Sequence, residues 1–552
     1  MRDLPVSHPH RAQRLWPAVV LLVLWAALVV GVTARHEFWR DEVRALSLAM
    51  DSSSISDLAR SLTDDGHPML WHLLLFGGWH LTSSVLVLPA MSLLIAAAAV
   101  MLLTVRAPFP LWLKALFLFG LPAYEYSVMA RNYGISMLLL FCFAALYPKR
   151  AKHPFALGAV LALLCNTNVH SIVFAGLLAA IWLWDALVTE RLALRDSARL
   201  WLGLAIAAAG LAIALWTLWP SGEGLAARAV NPAKLSYALK SFAIDPAAYF
   251  QGLFPAVVLF PPVIPFSLAG LVLAASLVGL IGRPIVAATA CVAIAALSGI
   301  FAVVYPGSYR HQALFLAFLV SLYWIAYAPG LASSAGLVRR RLAHLGLYGG
   351  LPALLAFAVA TAAAKIEEDW LYPVTSSKDL ARLLDARHSH AILVGEPDYL
   401  LEPLPYYADN PIYLVRERRF GRTVRFTANA ALDLSLGELL CGAWQAQREA
   451  GRPVLIVIGG NIASRGLPWE TGQVSPMADS YTRTFSWTPA DVSLWQQHAT
   501  LLARLGEQVS ASDERYFVFS ISEPGEGAWA ACKAPRAISP RGTAILAGQE
   551  RL

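Results

Sequence analysis

The chain has 552 residues, of which 57% are hydrophobic and 14% charged, with a mean hydropathy of +0.56. Soluble domains run at about 45–50% apolar and about 25% charged, which excludes an ordinary cytosolic enzyme, a disordered chain and a nucleic-acid binder despite a pI near 9.1. The net charge of +7 is unevenly placed: residues 1–364 carry 24 Lys/Arg against 14 Asp/Glu, and residues 365–552 carry 19 against 22. A very apolar basic part followed by a nearly neutral, more polar part points to a polytopic α-helical membrane domain over 1–364 and a soluble domain over 365–552.

Apolar stretches suited to about 30 Å of hydrocarbon recur at 15–33, 84–104, 111–124, 134–147, 155–169, 171–188, 200–219, 259–281, 285–304, 312–328 and 345–364. Arg11 and Arg14 precede the first of them. Because further spans follow, it reads as a retained helix and not as a cleaved signal peptide. With the N-terminus in the cytoplasm and sides alternating, the cytoplasmic segments hold 15 basic residues against four acids, and the outer segments nine against ten. This positive-inside bias sets the orientation. After eleven spans the C-terminal domain lies outside, in the periplasm if the membrane is a bacterial inner membrane. HPMLWHLLLFGGWHL, 67–81, is apolar but only 15 residues long. A full crossing there would invert the bias unless a second miscounted span compensated, so it reads as a re-entrant or interfacial helix on the outer face.

Beyond Lys365, AILVGE (391–396), PIYLV (411–415), RPVLIVIGG (452–460) and RYFVFSIS (515–522) read as short buried strands. LSLGELLCGAWQAQREA (434–450) and ADVSLWQQHATLLARLG (490–506) have apolar residues at helical spacing. The alternation predicts an α/β domain. It carries neither GxGxxG nor GxxxxGK[ST], and GGNIASRG (459–466) reads as a loop after a strand. Cys142, Cys165 and Cys291 fall in apolar spans, where a thiol acts as a small hydrophobe. Cys441 and Cys532 are the two in the outer domain and are expected to form a disulfide there. No CxxC spacing is present.

The chemistry-bearing stretch follows the first span: HEFWRDEVRALSLAMDSSSISDLARSLTDDGHPMLWHLLL, from His36 to Leu75. Asp41 and Glu42 are adjacent carboxylates emerging at the outer surface. Neighbours on a helix do not share a face, so one is expected to face a cavity while the other orients a partner. Without a function, the pair reads as acids favoured at a helix N-terminus.

This stretch resembles the GT-C glycosyltransferases, in the branch of the protein O-mannosyltransferases and aminoarabinose transferases: an acidic pair after the first span, two short surface helices, then an HPxL segment. YEYSVMARNYGI (124–135) is similar to the family's Arg-x-Tyr pattern, and PGSYRHQALFLAF (306–318) to the Arg that opens a late span. The Arg that often follows the HPxL helix in the family is missing from SSVLVLPA (83–90). The resemblance covers about residues 15–330. It implies transfer of a sugar, with inversion, from a polyprenyl-phosphate-linked donor to a hydroxyl of a glycan, lipid or protein at the outer face. Asp41 and Glu42 would be the catalytic carboxylates, Asp41 taking the acceptor's proton. Arg131, Tyr133 and Arg310 would hold the donor phosphate as the bond breaks. Taken alone, each Arg reads equally as an interfacial anchor.

His67 and His170 are pocket or acceptor candidates, each also explained by local hydrogen bonding. No cofactor is required by the sequence, although a divalent metal on Asp41, Glu42 and a His is conceivable. Beyond donor and acceptor, the expected partners are membrane lipids; no nucleic acid is expected. The alternative is a transporter or flippase of a lipid-linked or envelope glycan. Transporters place ionisable residues near the bilayer midplane, whereas here they gather at the outer ends of the spans.

Overall fold

The computed structural model describes residues 15–191, 197–225, 232, 234–245, 247–254, 268–328, 336–463, 472–474, 483–509 and 514–533. The first apolar run forms α1 (Leu15–Thr33). Two short surface helices follow, α2 (Arg40–Asp51) and α3 (Ile55–Ser61). Ser54 caps α3 by accepting from the Asp57 N–H. The 67–81 stretch forms α4 (Leu70–Thr82), whose 13 residues are about 20 Å long at 1.5 Å per residue. That is short of the hydrocarbon thickness. A left-handed Ser83 ends it before α5 (Val87–Arg106).

Next come α6 (Leu111–Leu118), α7 (Tyr133–Leu146), α8 (Pro154–Cys165), α9 (Val169–Trp184) and α10 (Ala198–Leu218). They are followed by α11 (Lys234–Ile244), α12 (Leu268–Val278), α13 (Pro284–Val303), α14 (Tyr309–Tyr327), α15 (Leu337–Leu345) and α16 (Leu351–Leu371). Among the described residues, six helical stretches are long and apolar enough to cross a membrane: 16–33, 87–106, 169–189, 198–218, 284–303 and 337–371. They match six of the eleven expected spans.

The other five expectations differ in length or polarity. The 134–147 and 155–169 runs form the shorter α7 and α8, and 259–281 is described only from Leu268. The 312–328 run forms α14, which is buried continuously from Gln312 to Ile325 as the central helix of the bundle. The 111–124 stretch is not one helix. It breaks after eight residues, where Gly120 lies against Ala358 and Pro122 enters a 3-10 turn.

Small residues let α8 and α10 approach closely: a Cβ on Gly158 would fall 2.1 Å from the Gly203 carbonyl oxygen. Residues expected on the cytoplasmic side meet at one end of the bundle. There Asp185 accepts from the Tyr147 hydroxyl at 2.7 Å and pairs with Arg283 at 2.5 Å and Arg150 at 3.9 Å.

α16 continues to Leu371, past the composition change at 364, and leads into the sheet domain. Its main sheet has the order β1 (Ile392–Glu396), β5 (Val454–Gly459), β9 (Tyr516–Ile521), β8 (Ala499–Leu505), with β1 parallel to β5 and the other pairs antiparallel. β1 and β5 are buried on both faces, which explains their unbroken apolar runs. Ile392, Val394, Ile456 and Ile458 face Leu440 and Trp444 of α18 (Leu436–Ala450). The alternate residues Leu393, Leu455 and Val457 face Leu380 and Leu384 of α17 (Ser377–Arg387).

The expected strands at 391–396, 452–460 and 515–522 are β1, β5 and β9. The 411–415 run shrinks to β2 (Tyr413–Leu414), paired with β3 (Arg419–Phe420). A small sheet of β4 (Asp433–Ser435), β7 (Thr484–Trp487) and β6 (Gly472–Val474) has strands too short to read from sequence. One expectation is corrected. The helix read over 490–506 ends at His498 as α19 (Pro489–His498), and 499–505 is β8. Ala499, Thr500, Leu501, Ala503, Arg504 and Leu505 pair with β9, and edge pairing overrides the helical spacing. Gly460–Ala463 is a single helical turn, and 464–466 lie outside the described residues. Cys441 and Cys532 form a disulfide, Cα–Cα 5.6 Å, tying α18 to α20 (Glu526–Lys533).

The sheet domain is seated on α2 and the loop before it. Arg44 donates to Glu402 at 2.5 Å and to the Val424 carbonyl at 2.9 Å. The Tyr407 hydroxyl donates to the Phe38 carbonyl at 3.2 Å, and the Phe38 and Tyr406 rings lie 4.7 Å apart.

Candidate active site

The site is built from the start of α2, the segment between α6 and α7, and the first turn of α14. Residues 121–130 are wholly buried yet largely non-helical. Irregular backbone at this depth is tolerated only where protein satisfies it. Here the Trp25 indole N–H donates to the Pro122 carbonyl at 3.0 Å, the Ser92 hydroxyl to the Ser127 carbonyl at 2.8 Å, and the Asn132 amide to the Thr167 carbonyl at 2.8 Å. The result fixes Arg131 at the entrance to α7.

Asp41 and Glu42 diverge. Glu42 is fully buried and accepts from the Ala130 N–H at 2.7 Å and the Trp39 N–H at 3.2 Å. His36 bridges it to the last turn of α16: Nε2 lies 3.1 Å from Glu42, and Nδ1 lies 3.0 Å from Asp369. Burial alone would lower the imidazole pKa, but Glu42 and Asp369 override it and hold it up at about 10. His36 is therefore an imidazolium clamped between two carboxylates, and Glu42 positions α2.

Replacing His36 with Gln leaves both carboxylates without their cation, and breaking such a buried pair costs about 3–5 kcal/mol. Because the folded pKa is raised, the clamp's contribution is complete below pH 6.5 and disappears as pH rises to about 10. Thermal unfolding of wild type and His36→Gln across that range should show a gap that closes with rising pH. A gap independent of pH would contradict the clamp.

Asp41 points the other way. Its Oδ2 accepts from Arg131 Nη1 at 2.6 Å, with Arg310 Nη1 at 3.7 Å, and its Oδ1 lies 3.9 Å from Arg40 Nε. The side chain is 37% exposed. Partial burial raises its pKa, but the guanidiniums of Arg131, Arg40 and Arg310 outweigh that and hold it at about 2. Arg310 also pairs with the buried Glu125 at 3.3 Å and lies over the Trp39 ring at 5.4 Å. Its own carbonyl accepts from the Tyr126 hydroxyl at 2.8 Å. Tyr133, the first residue of α7, is buried in a stack with Tyr126, with Arg131 5.6 Å above its ring.

His67 Nδ1 contacts the Asp65 carboxylate at 3.2 Å, and Asp65 also accepts from Arg44 Nε at 2.8 Å. His67 and Asp41 share the wall of a cavity of about 1080 Å³ that runs from α2 to the sheet domain. A smaller cavity of about 50 Å³ behind Asp41 is lined by Arg131, Asn132 and His72. His170 is buried at the start of α9, its Nε2 3.4 Å from the Tyr305 hydroxyl and its ring 5.5 Å from that of His311.

The arrangement brings Asp41, Arg131, Arg310 and His67 around one centre, sets Tyr133 beneath Arg131, and puts Glu42 out of reach behind it. Among the described residues, no group of three or more His, Cys, Asp or Glu side chains could hold a metal ion. Sequence reading did not single out Arg40, Arg44, Glu125, His311 or the His36–Asp369 pair. Arg40 and His311 adjoin singled-out residues, and Glu125 lies inside the quoted 124–135 motif.

Six membrane-length helices and a sheet domain seated on the charged end of their bundle define a polytopic integral membrane protein. No family model and no curated protein matches the sequence. In solved structures the chain is similar to the aminoarabinose transferase ArnT from Cupriavidus metallidurans in its apo state: 14% identity, TM-score 0.47, covering 95% of this chain and 100% of that one. It is similar to the same ArnT bound to undecaprenyl phosphate: 16% identity, TM-score 0.44, covering 94% and 99%. A third is the arabinofuranosyltransferase AftD from Mycobacteria: 13% identity, TM-score 0.34, covering 95% of this chain and 42% of that one.

Proposed function

We propose that the protein transfers a sugar, with inversion, from a polyprenyl-phosphate-linked donor to an acceptor hydroxyl at the outer membrane face. The observation that carries this is the Asp41 carboxylate held by Arg131 and Arg310 at the edge of a large cavity. Two guanidiniums at the end of a membrane bundle suit a lipid-borne phosphate, which each can grip through charge-assisted hydrogen bonds. In the structure both are paired with Asp41.

An arriving phosphate competes for both arginines. As they turn to it, Asp41 loses two of the three guanidiniums that hold its pKa near 2 and regains proton affinity beside the acceptor. The acceptor oxygen then attacks the anomeric carbon, and its proton passes to Asp41. The bond from that carbon to the phosphate oxygen breaks, and the electron pair leaves on the polyprenyl phosphate, stabilised by Arg131 and Arg310. A phosphate is a good leaving group, so no general acid is required.

The experiment is mass spectrometry of lipid extracts and envelope glycans from a strain lacking the gene. The expected result is an accumulated polyprenyl-phosphate sugar with loss of that sugar from one envelope component. Unchanged lipid-linked sugars and glycans would refute the reading.

A further inference from the structure

We infer that the acceptor is an uncharged glycan lying in the cavity between the first outer loop and the sheet domain, an inference that rests on the transferase reading above. At about 1080 Å³ the cavity is slightly above the range for small-ligand sites, about 300–1,000 Å³, and is larger than one sugar ring needs. Asp41 and His67 line it from the first outer loop, and Phe420 and Arg422 line it from the sheet domain. A chain entering from the sheet domain therefore delivers its end to the reacting centre.

The chemistry of the lining selects the ligand. Eight carboxylates and six guanidiniums face the cavity, and several are tied to one another. Arg44 joins Asp65 and Glu402, Arg422 pairs with Asp51, and Arg60 lies 3.7 Å from Asp57. An anionic acceptor would sit among a majority of negative groups. Hydroxyl groups donate to carboxylates and accept from guanidiniums at once, so a polyhydroxylated neutral chain binds without breaking a pair. Phe420 adds an aromatic face on which the apolar face of a sugar ring can pack. Phe420 is 41% exposed.

The test is equilibrium binding to the full-length protein in lipid nanodiscs. The probes are maltoheptaose, mannan-derived and β-glucan oligosaccharides, oligogalacturonate as the anionic counterpart, and undecaprenyl phosphate. At least one neutral oligosaccharide should bind saturably and more tightly than oligogalacturonate. Phe420→Ala should weaken that binding about tenfold, Phe420→Tyr should retain it, and neither should change undecaprenyl phosphate affinity. Tighter binding of oligogalacturonate, no neutral binding where undecaprenyl phosphate binds, or indifference to Phe420→Ala would overturn the acceptor assignment and leave the transferase reading standing. Failure of the wild type to bind undecaprenyl phosphate would overturn the transferase reading itself.

Discussion

Asp41→Asn is expected to stop sugar transfer, lowering the single-turnover rate by about 10²–10⁴-fold, the usual contribution of a general base. The substitution keeps the size of the side chain and an oxygen to accept from Arg131, so α2 and the cavity should persist. What it removes is the group that takes the acceptor's proton. The fold should tolerate it, because the side chain is 37% exposed and Arg131 keeps an oxygen to donate to. Glu42→Gln differs in kind: Glu42 is fully buried, receives two backbone N–H groups and pairs with His36, so its loss should appear first as lost stability. Purified Asp41→Asn protein with near wild-type turnover would remove Asp41 from the chemistry.

Arg131→Ala and Arg310→Ala should each weaken donor binding while affecting acceptor binding much less. A hydrogen bond to a charged group is worth about 1.5–3 kcal/mol, about a tenfold to hundredfold loss in affinity. Lys should rescue partly, since it restores the charge without the planar fork that grips two phosphate oxygens. The two positions should not be equal. Arg131 is tied to Asp41 at 2.6 Å, whereas Arg310 divides itself between Asp41 at 3.7 Å and Glu125 at 3.3 Å. Arg310→Ala also leaves the buried Glu125 without this cation, so its variant should lose stability as well as affinity. Unchanged donor affinity in both variants would make them interfacial anchors.

Much of this centre was legible in the chain because its members sit in short local patterns. The acidic pair after the first span, the Arg-x-Tyr at 131–133 and the Arg opening α14 each carry their own signal. The division of labour between Asp41 and Glu42 was legible only in principle. Which carboxylate turns inward depends on His36 and on Asp369, 333 residues further along, and no local pattern marks that pairing. Arg44 was invisible for the same reason: its partner Glu402 lies in the other domain.

The errors in the fold have one physical origin, tertiary partners overriding local pattern. ATLLARL has helical spacing, but β9 offers it an edge to pair with. The 111–124 run is apolar enough for a span, but a close contact at Gly120 and the turn at Pro122 break it and free the backbone that holds Arg131. The strands of the main sheet were readable because β1 and β5 are buried on both faces and so are apolar throughout.

The most direct test of the centre is the affinity of wild-type protein and of Asp41→Asn for undecaprenyl phosphate, measured side by side in nanodiscs. If the Asp41 carboxylate and the donor phosphate compete for Arg131 and Arg310, removing the carboxylate charge should tighten binding by about tenfold, in the same protein whose transfer is lost. Affinity in Asp41→Asn that is unchanged or weaker than wild type would show that the carboxylate and the phosphate do not share those arginines.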